Sequence, residues 1–240
     1  MTGQGPIVPA APVGRPAAGL APPAAGLAAQ VVVIAKAPVP GRVKTRLTPP
    51  FTPAEAAALA EAALADTLAA VACAPVARRV LALDGAAGGW LPPGYEVICQ
   101  RGGGLDERIA SAFADVRATW PSPAVLIGMD TPQVTPALLA GACEPLVSGA
   151  ADATFGLAAD GGFWALGLRD IDPALVLGVP MSRPDTGALQ LARLESAGLR
   201  VRPLPELTDV DTADDAGHIA AATPGSRFAA CLRSLDGQAA

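Results

Sequence analysis

The chain has 240 residues, enough for one well-buried α/β domain, and it is 51% hydrophobic but only 4% aromatic, so its core must come mainly from Ala, Val and Leu. A net charge of −5 argues against non-specific nucleic-acid binding and confines any polyanion site to a local patch. Apolar runs of about 18 residues are broken by charge or by Pro and Gly clusters, and no basic stretch precedes an apolar one at the N-terminus, which argues against a transmembrane helix and a secretory signal.

Residues 1 to 28 are rich in Pro, Gly and Ala without helical or strand periodicity, which predicts a weakly ordered leader, with order beginning near Gln30. Val31 to Ala35 is a continuous β-branched run, the pattern of a parallel strand buried on both faces. A Pro- and Gly-bearing loop follows from Ala37 to Pro50. Thr52, Pro53 and Glu55 then predict a capped helix from Pro53 to about Ala72. Val80–Leu83 and Tyr95–Cys99 read as strands, Leu105–Thr119 as a helix, Ala124–Gly128 as a buried strand, and Thr135 to about Val147 as a helix. Ala153–Leu157 and Phe163–Gly167 read as strands around a Gly turn. Thr186–Ala197 reads as a helix ending at Gly198, Leu199–Leu204 as a strand, and Asp211 or Thr212 as the cap of a last helix. Strands alternating with helices predict a three-layer αβα domain with a mostly parallel sheet.

Cys73, Cys99, Cys143 and Cys231 are widely spaced, with no CxxC pair and a single histidine, His218. This speaks against a Cys/His zinc site and a disulfide framework, and predicts a cytoplasmic protein.

Ligands of open α/β sheets bind beyond the carboxyl ends of the strands, so the segments after strands carry the functional expectation. Lys36, Arg42, Lys44 and Arg46 fall within eleven positions after the first strand, with Pro38, Pro40 and Gly41 shaping the backbone and no acid among them. That density suits a polyphosphate; the plainer reading is a solvated basic loop. Asp130 follows the central strand, where a carboxylate can hold a hard divalent cation that also binds phosphate, or simply cap the turn. Asp209 and Asp211 share one side of an extended segment, which makes one of them a second ligand, although acids there also favour a helix start. Asp160, Gly161 and Gly162 form either a hairpin turn or a backbone surface for a sugar or acceptor. Gly104 and Arg108 enter a helix through a glycine loop whose amides could receive an anion.

Ala35-Lys-Ala-Pro-Val-Pro-Gly-Arg-Val-Lys-Thr-Arg-Leu47 resembles the opening signature of the bacterial DUF2064 family of glycosyltransferase-like proteins, also described as transferase 1 associated with radical-SAM and selenoprotein genes, some members being named arsenosugar-biosynthesis glycosyltransferases. Gly104–Arg108, Gly128–Pro132, Asp160–Phe163 and Asp209–Asp215 resemble its later motifs in the same order. The resemblance implies one domain of the glycosyltransferase-A, or nucleotide-diphospho-sugar transferase, fold over 29–225, between the leader 1–28 and a C-terminal tail 226–240. It implies kinship with the molybdenum-cofactor and phospholactate guanylyltransferases. In that pattern Lys36, Arg42, Lys44 and Arg46 hold the nucleotide, and Asp130 and Asp211 hold the metal, Mg²⁺ or Mn²⁺. The sequence departs from it at Phe163, where the family usually has Tyr, and at Met181-Ser182-Arg183, where it often has Trp-Ser-Thr.

The expected activity is metal-dependent glycosyl transfer from a nucleotide-sugar to a small-molecule acceptor, with Asp130 and Asp160 catalytic and Gly161, Gly162 and Phe163 against substrate. Nucleotidyl transfer releasing pyrophosphate needs the same clamp and is the alternative. A non-catalytic nucleotide-binding protein is the alternative of another class. Neither nucleic acid nor membrane is an expected partner.

Overall fold

The computed structural model describes residues 26–237. The expected leader therefore lies almost wholly outside the described residues. The sheet has seven strands in the order β3-β2-β1-β4-β6-β5-β7. They are β1 (Leu27–Lys36), β2 (Val76–Asp84), β3 (Glu96–Cys99), β4 (Ala124–Ile127), β5 (Ala153–Leu157), β6 (Phe163–Leu168) and β7 (Val201–Pro203). The helices are α1 (Pro53–Cys73), α2 (Leu105–Thr119), α3 (Pro136–Ser148), α4 (Thr186–Ser196), α5 (Ala213–Ala222) and α6 (Arg227–Asp236). Strands pair in parallel except β6, which is antiparallel to both β4 and β5.

β1 explains the layering. Val31 and Val33 face a core shared with Leu64 and Leu68 of α1 and Leu139 and Leu146 of α3. Val32 faces the opposite core, with Ile109 and Phe113 of α2 and Leu194 of α4. A β-branched run with no polar alternation is what a strand covered on both faces requires. The three-layer αβα architecture expected from the sequence is therefore present.

Two boundaries depart from expectation. β1 begins at Leu27, ahead of the expected Gln30, and the Leu27 N–H bonds the Pro75 carbonyl at 2.7 Å. The segment 226–240, expected as a tail, contains α6. Ser226 caps it, and Asp66 of α1 accepts the backbone N–H groups of Arg227 and Phe228 at 3.1 and 2.8 Å. Phe228 and Leu232 then pack with Leu59, Ala63 and Ile219 in a third core outside α1.

That extra layer accounts for the character of α1. By length and composition it is apolar enough to cross a membrane, contrary to the sequence expectation. Here it is packed on one side against the sheet and on the other against α5 and α6. Its start is fixed by the predicted capping box, with Thr52 and Glu55 bonding reciprocally.

Candidate functional site

The carboxyl ends of β1, β3 and β4 open into one cleft of about 860 Å³. The loop after β1 forms one wall. Met129, following β4, accepts the Lys36 N–H on its sulfur at 3.3 Å. The chain then turns through Lys44, whose backbone is left-handed at φ 47°. A non-glycine residue held there is uncommon and costs conformational energy. The turn sends the Lys44 side chain inward, leaving it 9% exposed.

The opposite wall is acidic. The Val210 N–H bonds the Asp130 carbonyl at 3.0 Å, and Gln133 Nε2 bonds the Thr208 carbonyl at 2.6 Å. These two contacts dock the segment 208–211 on the end of β4 and bring Asp209 and Asp211 beside Asp130. Lys44 Nζ donates to Asp130 Oδ2 at 2.5 Å and to Asp211 Oδ1 at 3.1 Å. Arg46 Nη1 reaches Asp211 Oδ2 at 3.0 Å but stays 71% exposed. Burial opposes the charge on Lys44, but Asp130 and Asp211 outweigh it and raise its pKa. Asp209 is the reverse case. Burial, then the charge of Asp130, pushes its pKa up to about 8, and its Oδ1 is buried without a hydrogen-bond partner.

The donor chemistry here fits a hard divalent cation: three carboxylates, all oxygen, one with an unsatisfied buried oxygen. Their spacing does not yet do so. Among the described residues no three such groups lie at metal-ligand separation. The ammonium of Lys44 stands between Asp130 and Asp211.

A second side of the cleft is built on the β5–β6 turn and the loop leading into α4. Asp160 Oδ1 accepts the Gly162 N–H at 2.8 Å, closing the turn. Gly161 has φ +87°, and a Cβ there would overlap the Pro184 carbonyl. The Gly187 N–H bonds the Gly161 carbonyl at 2.8 Å, so turn and loop are docked backbone to backbone. Ser182 is also left-handed, at φ 59°. Thr186 Oγ1 bonds the Pro180 carbonyl and the Arg183 N–H, which pins the loop. Phe163 packs on Phe155 with ring centroids 5.3 Å apart and lines the cleft.

On the β2–β3 side, Arg108 pairs with Asp84 at 2.8 Å. Gln100 Nε2 donates to the carbonyls of Ala35 and Ala82 at 2.7 and 2.9 Å, which ties the ends of β1 and β2 together and fixes its amide.

The structure brings most of the expected site residues to this cleft. Lys36, Arg42, Lys44, Arg46, Arg108, Asp130, Asp160, Gly162, Phe163, Asp209 and Asp211 all line it. Pro38, Gly41, Gly104 and Gly161 do not. Pro38 and Gly41 shape the basic loop, Gly104 is the N-cap of α2, and Gly161 is consumed in packing against Pro184. Gly161 was expected to give its backbone to a substrate; it gives it to the neighbouring loop. Met181, Ser182 and Arg183, the segment where the sequence departs from the family pattern, line the cleft as well, whereas Gln100 and Thr186 line it without having been singled out as binding residues. Gln100 directly follows a strand, the one signal that could have marked it.

The doubly covered sheet carries a basic loop and clustered carboxylates at its strand ends, and the likeness of the chain to a transferase makes it an enzyme of the transferase class. The chain belongs to the family described as "uncharacterized protein conserved in bacteria (DUF2064)", whose model matches residues 58–183. That stretch includes Arg108, Asp130 and Asp160. Among solved structures, the chain is similar to a protein from Desulfovibrio desulfuricans G20 provisionally described as a nucleotide-diphospho-sugar transferase, at 27% identity over 87% of this chain and 95% of that one, TM-score 0.79. It shares its fold with Rv0371c of Mycobacterium tuberculosis H37Rv, at 24% identity over 81% and 98%, TM-score 0.54. It also shares the fold of a CMP:2-keto-3-deoxy-manno-octonic acid synthetase solved with CTP, at 15% identity over 82% and 98%, TM-score 0.51. A search of curated proteins found no match.

Proposed function

We propose that the protein is a metal-dependent glycosyltransferase that takes a nucleotide-sugar donor and a small hydroxylated acceptor in the cytoplasm. One observation carries this reading: the basic loop 36–46 and the carboxylates Asp130, Asp209 and Asp211 line a single cleft and are joined there through Lys44 and Arg46. The basic wall matches a diphosphate, and the acidic wall matches the cation that accompanies one. The D. desulfuricans relative, a provisional nucleotide-diphospho-sugar transferase, supports the sugar-nucleotide form of the reaction. Four free cysteines, two of them exposed, support a reducing compartment.

In this mechanism Lys36, Arg42 and Arg46 bind the diphosphate and hold negative charge as it develops on the leaving group. Asp130 and Asp211, with Asp209 beside them, are the residues that would hold Mg²⁺ or Mn²⁺. When bound, the cation supplies Lewis-acid stabilisation of the departing phosphate oxygens. The acceptor hydroxyl oxygen forms a bond to the anomeric carbon as the bond from that carbon to the diphosphate oxygen breaks. Asp160 has one oxygen tied to the Gly162 N–H, and its free oxygen accepts the hydroxyl proton. The nucleoside diphosphate leaves.

The test combines binding and turnover. Each of a panel of nucleotide-sugars and nucleoside triphosphates, with and without Mn²⁺, is assayed for a raised unfolding midpoint. A metal-dependent rise with a nucleotide-sugar supports glycosyl transfer and names the donor. A rise with one triphosphate alone replaces it with nucleotidyl transfer, and no rise with any of them leaves the proposal without its donor. Asp130→Ala should remain cooperatively folded and lose metal-dependent turnover; unchanged turnover removes Asp130 from the mechanism.

A further inference from the structure

We propose that Lys44 is a resident counter-cation of the carboxylate centre, and that a divalent metal enters only by displacing it. The inference rests on reading Asp130 and Asp211 as metal ligands, and it concerns what stands between them.

Three observations carry it. First, Nζ is bonded to both carboxylates, at 2.5 and 3.1 Å, so it occupies the point where a cation held by both would sit. Second, the side chain is 9% exposed, which makes it part of a built centre, unlike Arg46 at 71%. Third, the backbone that delivers it is left-handed at a residue with a Cβ, a conformation the surrounding loop must enforce. Among the described residues, no three carboxylate, thiol or imidazole groups stand together at metal-ligand separation.

A cation as large as an ammonium and a divalent ion cannot share that point, and two like charges a few ångströms apart repel strongly in a partly buried site. Lys44 therefore leaves the carboxylates when the metal arrives. The loop that carries it is the loop that faces the diphosphate, so the displaced ammonium is released toward an incoming polyphosphate. Metal alone has to break a partly buried ion pair; metal with a polyphosphate gives the displaced lysine a new partner.

The test measures Mn²⁺ binding without nucleotide, by loss of the free-ion electron paramagnetic resonance signal and by calorimetry. The proteins are the wild type, Lys44→Met, Lys44→Asn and Arg46→Met. Asparagine tolerates the left-handed backbone, so it keeps the loop shape if methionine disturbs it. Both Lys44 variants should bind Mn²⁺ at least about tenfold more tightly than the wild type. Arg46→Met, which removes an equal but solvent-screened charge, should change affinity by no more than about threefold. Adding Asp130→Asn to Lys44→Asn should remove the gain. Equal affinities, or an equal gain in Arg46→Met, overturn the displacement while leaving an Asp130-dependent metal site standing. Absence of Mn²⁺ binding in every protein overturns both the displacement and the metal reading.

Discussion

Gly161→Ala probes the junction between the β5–β6 turn and the loop into α4, and its cost can be worked from the backbone. At φ +87° an added Cβ meets left-handed strain of about 1–2 kcal/mol. The same Cβ overlaps the Pro184 carbonyl, a backbone atom that cannot rotate away as a side chain would. Forcing that loop outward adds about 1–3 kcal/mol, comparable with overpacking a core. It also endangers the hydrogen bond from the Gly187 N–H to the Gly161 carbonyl, about 1 kcal/mol. The total is about 3–6 kcal/mol, which lowers the unfolding midpoint by roughly 10–15 °C for a domain of this size. Gly41→Ala is the control: φ is +75° but nothing lies within 4 Å of its Cβ, so only the strain remains, a fall of roughly 4 °C. Scanning calorimetry of both proteins decides the matter. If Gly161→Ala falls no further than Gly41→Ala, the backbone contact with Pro184 does not hold the loop.

Asp209 gives a pH dependence with a definite sign. Its carboxyl stays protonated in the fold until about pH 8, whereas in the unfolded chain it ionises near pH 4. The folded state holds the extra proton between these values, so stability should fall as pH rises through that window, by up to about 1.4 kcal/mol per pH unit. Urea denaturation at pH 5, 6, 7 and 8 in chelator should show this slope, and Asp209→Asn should flatten it; a slope unchanged in the variant assigns the proton elsewhere. Asp66→Ala removes the acceptor for two N–H groups at the start of α6, and should cost about 1–3 kcal/mol and expose the segment from Ser226 onward to limited proteolysis. Proteolysis no faster than in the wild type would show that Phe228 and Leu232 hold α6 without that bond.

Much of the fold was legible because the local signals agree with the global structure. Val31–Ala35 could only be a strand covered on both faces, and Thr52, Pro53 and Glu55 mark the start of α1 residue by residue. The basic loop, Asp130 and the Asp209–Asp211 pair were each recognisable from their place after a strand. What the sequence did not display were relations between distant segments. Nothing in Phe163–Leu168 says that β6 inserts between β4 and β5. α6 was missed because the partner that caps the helix, Asp66, lies 161 residues earlier than Arg227. Lys44 carries no glycine or asparagine signal for its left-handed backbone, so its inward turn was invisible. Gly161 and Gly162 looked alike in sequence, yet one lines the cleft and the other packs against Pro184.

The reversed direction of β6 divides the molecule's labour. Strands β1, β3 and β4 present their carboxyl ends to the cleft, but β6 presents its beginning, so Phe163 arrives from a hairpin rather than from a crossover. The hairpin and the loop into α4 form a unit that grips itself through Gly161 and Gly187, with its own hydrogen bonds and its own strained residue. Changes at Met181, Ser182 or Arg183 therefore alter one bank of the cleft while the basic loop and the carboxylates keep their register on the other. Under the proposed function, a lineage built this way would trade one acceptor for another by rewriting a few positions of a single loop, with the donor chemistry inherited intact.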